Sequence, residues 1–188
     1  MFDCFSKEKS DFLRKKDKSK KGCVDEDIKE IINIINSKKD YYTTSSCSGR
    51  IVLLEKLSNR KNESNWLFAR HNKIKFNEIK NYLKNKIKNE IWLKQEPLIL
   101  HVRCRNLKSA KKLLNASRKI FKRAGVISLG ENKIMVEIIG SERIDAIIAD
   151  RNFAADEKYL KNLVKYANRN FEENKRKGER FLIAIKNI

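Results

Sequence analysis

Eight consecutive residues, Thr43-Thr44-Ser45-Ser46-Cys47-Ser48-Gly49-Arg50, constrain this chain more than any other stretch. Five hydroxyl side chains, a thiol, a glycine and an arginine make a poor core and a poor helix. Ser and Thr compete for backbone hydrogen bonds, and Gly49 permits a close backbone approach. Tyr41 and Tyr42 precede the stretch and Ile51-Val52-Leu53-Leu54 follow it. The reading is a Ser-rich turn joining a strand at residues 41–44 to one at residues 50–55. N–H groups and hydroxyls beside a fixed cation suit an anionic or zwitterionic ligand. A plain turn is the other reading of the same residues.

The remainder of the chain supports a globular scaffold for that stretch. Its 188 residues are 40% hydrophobic, enough for one sizeable domain or two small lobes sharing a core. A formal net charge of +20 points to a polyanionic partner, nucleic acid first. No apolar run reaches membrane-spanning length, and the N-terminal residues lack the apolar segment of a secretion signal, so a cytoplasmic location is expected. Cys4, Cys23, Cys47 and Cys104 are widely spaced and there are two histidines, so no metal site is expected. Cys23 and Cys104 read as small apolar fillers.

Phe2, Phe5, Phe12 and Leu13 suggest a short N-terminal helix docked by its aromatics. A basic loop, residues 14–22, follows, with phosphate contact as its functional reading. Asp25 reads as an N-cap for a helix whose Ile28, Ile31, Ile32 and Ile35 form one buried stripe. Polar residues 58–64 read as a loop, and residues 66–69 as a strand that delivers Arg70 and His71. Phe76, Ile79, Leu83 and Ile87 recur at helical spacing.

Residues 98–104 alternate: Leu98, Leu100, Val102 and Cys104 face the core, while Ile99, His101 and Arg103 face away. Asn106 caps a further helix that Gly125 stops. Residues 126–129 and 133–139 form a hairpin through Gly130-Glu131-Asn132, and residues 143–149 a further strand. Asp156 opens a last helix, Gly178 ends it, and residues 181–185 return as an edge strand. The expected class is α/β or α+β, a single compact domain with a mixed β-sheet flanked by helices. Residues 1–24 would form an N-terminal helix and basic loop, and residues 25–188 the mixed-sheet core.

Taken together, Asp17-Lys18-Ser19-Lys20-Lys21-Gly22-Cys23-Val24-Asp25, Tyr42 through Ile51, Trp66 with His71, Glu96-Pro97-Leu98-Ile99-Leu100-His101-Val102-Arg103-Cys104 and Ala167-Asn168 resemble the tRNA wybutosine-synthesising protein 3 family. Order and spacing cover most of the chain. Two departures stand out: Cys23 where the family usually has serine, and Arg70 where a small residue commonly precedes the histidine. The resemblance implies a tRNA methyltransferase of archaeal type that uses S-adenosylmethionine (SAM). Its acceptor would be the N4 nitrogen of 7-(3-amino-3-carboxypropyl)-4-demethylwyosine, 3′ of the anticodon in phenylalanine tRNA. Other enzymes of the wybutosine pathway would be possible partners. The chain has six glycines and no Gly-rich nucleotide loop, so the Rossmann-type methyltransferase fold is not expected.

With that resemblance, residues Ser45, Ser46, Ser48, Gly49 and Arg50 are the expected SAM contacts. His101, His71 and Ser46 are the expected catalytic group, and Lys18, Lys20, Lys21, Trp66 and Arg103 would contact RNA at the anticodon arm. Two other readings fit parts of the sequence. One is a non-catalytic tRNA-binding module that assists another enzyme; the other is a nucleophilic enzyme pairing Cys47 or Ser46 with a histidine.

Overall fold

The computed structural model describes residues 3–15, 25–57, 64–84, 86–130 and 133–188. Phe2, Cys23, the expected RNA contacts Lys18, Lys20 and Lys21, most of the loop at 58–64 and the Glu131-Asn132 turn lie outside the described residues. In chain order the elements are α1 (Cys4–Leu13), α2 (Glu26–Ser37), β1 (Tyr41–Cys47), β2 (Arg50–Lys56), β3 (Ser64–Arg70), α3 (Phe76–Leu83), β4 (Glu90–Glu96), β5 (Ile99–Cys104), α4 (Leu107–Arg118), β6 (Gly125–Gly130), β7 (Lys133–Ile139), β8 (Ile144–Ala149) and α5 (Glu157–Lys186).

The chain divides into two compact units: Met1–Ser48 with Leu98–Ser141 and Lys175–Ile188, and Gly49–Pro97 with Glu142–Asn174. Unit one holds a four-stranded sheet in the order β1-β5-β7-β6; unit two holds another in the order β3-β2-β4-β8. The α+β class and the absence of a Rossmann sheet stand, but the expected mixed sheet resolves into two antiparallel ones. The reason lies in connectivity. The crossover from β5 through α4 to β6 skips one position, and β7 fills it, antiparallel to both neighbours.

In unit one, Ile28, Ile31, Ile32 and Ile35 of α2 are at most 8% exposed and meet Leu98, Leu100, Val102 and Cys104. Each isoleucine buried in this way stabilises the fold by about 1.5–3 kcal/mol. Asn106 caps α4 by accepting from the Ser109 N–H at 2.9 Å. The aromatics of α1 dock as expected, with Phe5 and Phe12 rings 5.6 and 5.3 Å from Tyr42. In unit two, Ile51, Leu53, Phe68, Ile79, Leu93, Val164 and Phe171 build a separate core. Among the described residues no helix is long and apolar enough to cross a membrane.

Two local expectations change. Gly178 does not end the last helix, and residues 181–185 are not a strand but the final turns of α5. Within unit one, Gly178, Phe181 and Ile185 form one buried helical stripe. A Cβ at Gly178 would sit 3.5 Å from Leu98 Cδ1, so this residue lies on the packed face. The roughly 1 kcal/mol propensity cost of a helical glycine is smaller than the burial of Phe181 and Ile185. The second change concerns the Ser-rich turn. β1 runs through Ser45, Ser46 and Cys47 because their backbones pair with His101, Leu100 and Ile99. β1 and β2 belong to different sheets, so the bend is no hairpin; it is confined to Ser48-Gly49, where Gly49 has φ 97°.

Cys104 is a core filler, as expected, and burial pushes its thiol from 9.0 up to about 12. Burial likewise pushes the Tyr41 hydroxyl, which donates to the Ser109 carbonyl at 2.9 Å, up to about 12. The folded chain therefore keeps protons that the unfolded chain releases near pH 9 to 10. Since the unfolded state then binds fewer protons, stability falls as pH rises through this window. Thermal melts should show a melting temperature that declines between pH 9 and 11, with a shallower decline in Cys104→Ala. Equal slopes would exclude the thiol as a source.

Candidate functional site

In unit one, one row of side chains crosses three strands. Ser45 of β1 pairs with His101 of β5, which pairs with Glu137 of β7. Directly opposed residues share a sheet face, so the three project together. A β-bulge between Thr43 and Ser45 sets this register, and the Thr44 hydroxyl donates to the His101 carbonyl at 3.3 Å. His101 Nε2 lies 2.9 Å from Glu137 Oε2, with the two side chains 28% and 27% exposed. A carboxylate at Nε2 fixes the ring and makes Nδ1 the proton-accepting nitrogen of the neutral form.

The neighbours of this row depart from expectation. Ser46 pairs with Leu100, which is fully buried, so its side chain leaves the strand on the face opposite His101. A Ser46–His101 nucleophile pair is therefore not formed. Arg103 shares the His101 face but is 4% exposed, under α1. Its Nη2 donates to Glu8 Oε2 at 3.2 Å, Nη1 to the Cys104 carbonyl at 2.6 Å, and its guanidinium lies 5.4 Å from the Phe5 ring centroid. This arginine anchors α1 and does not present itself to RNA. Ser48 gives its N–H and hydroxyl to Asp25 Oδ2, at 3.1 and 3.2 Å. Asp25 accordingly occupies the N-cap position of α2 without a side-chain cap bond.

Unit two holds a second cluster where β2 begins and β4 ends. Arg50 Nε donates to Glu96 Oε2 at 2.5 Å, and its guanidinium stacks 4.5 Å from the Trp66 centroid. The residues are cross-strand partners, 28% and 32% exposed. Trp66 is 42% exposed. His71 Nδ1 lies 2.9 Å from the Gly49 carbonyl, which can only accept, so Nδ1 carries the proton and Nε2 is the basic nitrogen. The loop bearing His71 is held from α5. Asn168 accepts from the Ile74 N–H at 3.0 Å and donates to its carbonyl at 2.8 Å, while Lys73 pairs with Glu172. Arg70, the departure beside His71, turns to Glu78 at 3.8 Å.

Glu137, Glu96 and Asn168 thus orient expected site residues, although sequence reasoning gave them no role. Their signals were weak: Glu137 sits on the polar side of an alternating strand, and Glu96 precedes the single proline. Gln95 is another omission. It is fully buried, and neither amide atom has a hydrogen-bond partner among the described residues. Unsatisfied buried polar groups cost about 1–3 kcal/mol. Gln95→Met should therefore raise the melting temperature in calorimetry; a fall would mean the amide is satisfied in solution.

The architecture is shared with small solved α+β proteins outside the Rossmann class. The chain superposes on the PH1069 protein from Pyrococcus horikoshii with a TM-score of 0.84 at 32% identity, covering 96% of this chain and 95% of that one. The family model described as Methyltransferase TYW3 matches residues 7–187, and the chain belongs to that family. It is 38% identical over 153 residues to the "tRNA(Phe) 7-((3-amino-3-carboxypropyl)-4-demethylwyosine(37)-N(4))-methyltransferase" of Methanocaldococcus jannaschii, with 79% of each chain covered. It is 36% identical over 188 residues to the "tRNA wybutosine-synthesizing protein 3 homolog" of Xenopus laevis, covering 95% of this chain and 73% of the relative. Membership of a methyltransferase family entails a methyl donor.

Proposed function

We propose that this chain, acting over residues 1–188 as one functional domain, methylates N4 of 7-(3-amino-3-carboxypropyl)-4-demethylwyosine at position 37 of phenylalanine tRNA, as the name of its M. jannaschii relative describes. The observation that carries this reading is the family match across residues 7–187. The donor is SAM, and the residues present fit its zwitterionic end. The bond from Nε to Glu96 uses one of five Arg50 N–H donors, leaving Nη groups for a carboxylate. Glu96 suits an ammonium group. Ser45 and Ser46 project from opposite faces of β1 and do not act together, while Ser48 fixes the bend through Asp25.

SAM supplies a methyl group activated on a sulfonium sulfur. Methylation at N4 would require that nitrogen to lose one proton. His101 accepts it at Nδ1, and Glu137 balances the imidazolium at Nε2. His71, held by Gly49, is the second histidine that we assign to orienting the acceptor. Orientation supplies most of the remaining acceleration, because no covalent intermediate with the protein is needed.

The tRNA would be drawn by the net charge of +20, with the anticodon arm meeting Lys18, Lys20, Lys21 and Trp66. Trp66, backed by Arg50, suits stacking against an unpaired base. The cytoplasm is where tRNA and the other wybutosine-pathway enzymes would be met. Incubation with methyl-labelled SAM and tRNA from cells lacking this protein tests the reading. Label should enter phenylalanine tRNA; its exclusion would leave a tRNA-binding module without this activity.

A further inference from the structure

The roles given above use neither α4 nor the turn that follows it. From Asn106 to Gly130 the chain contains no carboxylate. Across the same span Lys108, Lys111, Lys112, Lys119, Lys122 and Arg123 are all exposed. Arg118, also exposed, ties the turn down by donating to the Ala124 carbonyl at 3.0 Å. None of the six makes an ion pair with a described carboxylate.

Several cations elsewhere in the chain are paired with carboxylates. Lys161 and Lys80 share Glu157 at 2.7 and 3.1 Å, and Lys175 pairs with Asp27 at 3.2 Å. On α4, like charges recur three and four residues apart, which destabilises a helix by about 0.2–0.5 kcal/mol per pair. An anion from outside the chain relieves that repulsion. From Lys108 to Lys119 the helical rise is about 16 Å, too long for one phosphate or a nucleotide and suited to a continuous phosphate backbone.

The surface also has a defined place in unit one. α4 buries Ser109, Ala110, Leu113 and Ser117, and its apolar members pack with Leu100 and Val102 of β5. His101 leaves β5 on the other face. An RNA held by α4 is thus held by a part other than the reacting base. We propose that α4 and the 119–123 turn bind the phosphate backbone of a double-helical stem of the tRNA substrate. This rests on the reading of the chain as a tRNA methyltransferase and deepens it.

The test uses the full chain carrying Lys111→Ala, Lys112→Ala and Lys119→Ala together, with the Lys→Arg triple as the charge-preserving control. Circular dichroism checks that both fold, as exposed positions should allow. Affinity for phenylalanine tRNA is measured against salt, alongside steady-state methylation. The alanine triple should reduce the steepness of log K against log salt by about 2 to 3 and weaken binding about tenfold or more at physiological salt. KM for tRNA should rise with kcat unchanged, and the arginine triple should restore both.

An unchanged affinity and salt slope in the alanine triple, with wild-type methylation intact, overturns the inference. So does retained tRNA affinity with loss of binding to phosphatidylserine vesicles, which would assign the surface to a membrane. Lysine-dependent tRNA binding by a wild-type chain that transfers no methyl supports the surface and refutes the proposed activity.

Discussion

Replacing His101 by alanine is expected to lower kcat for methyl transfer by about 10²- to 10⁴-fold, the usual contribution of a positioned acid–base group. Affinity for tRNA should stay close to wild type, because the substitution removes a proton acceptor and no phosphate contact. Stability should change little. The His101 side chain is 28% exposed, and the Glu137 carboxylate it leaves behind is 27% exposed and can be hydrated. Glu137→Gln should fall between wild type and His101→Ala, since an amide still meets the ring but no longer balances the imidazolium. Rapid-quench measurement of a single turnover separates this chemical step from product release. A wild-type single-turnover rate in His101→Ala would remove the histidine from the reaction.

Arg50→Ala is expected to weaken SAM binding in titration calorimetry by at least about ten- to a hundredfold. A charge-assisted contact from guanidinium to carboxylate contributes about 1.5–3 kcal/mol, or roughly ten- to a hundredfold in affinity. Loss of the arginine also removes the group stacked 4.5 Å from Trp66 and leaves Glu96 without its partner. Arg50→Lys should bind weakly, because an ammonium has neither the planar fork nor the stacking face. Tryptophan emission gives an independent readout, as Trp66 lies against the guanidinium. Unchanged affinity in Arg50→Ala would assign the cation a purely structural pairing with Glu96.

What the sequence made legible was local. The α2 isoleucines and the alternation along β5 were readable because 3.6- and 2-residue periods depend on neighbours in the chain. The same alternation placed Arg103 on the His101 face and said nothing of what covers it. Glu8 and Phe5 do so, from about a hundred residues away in the chain. Ser45 and Ser46 have turn-forming chemistry, but ladder pairing with His101 and Leu100 draws them into a strand. Gly178 looked like a stop signal because its packing against Leu98 is invisible to local propensity.

The site followed the same division. Residue types marked His71, His101 and Arg50 as carriers of chemistry. Their partners Gly49, Glu137 and Glu96 emerge from strand register and the path of a loop, which long-range pairing sets.

Nucleoside mass spectrometry tests the central claim most directly. Phenylalanine tRNA from cells lacking this protein is incubated with SAM and the purified chain, then digested. The modified guanosine 3′ of the anticodon should become one methyl group heavier, with fragmentation assigning the addition to N4. An unchanged mass, or a methyl on any other nucleoside, would contradict the account.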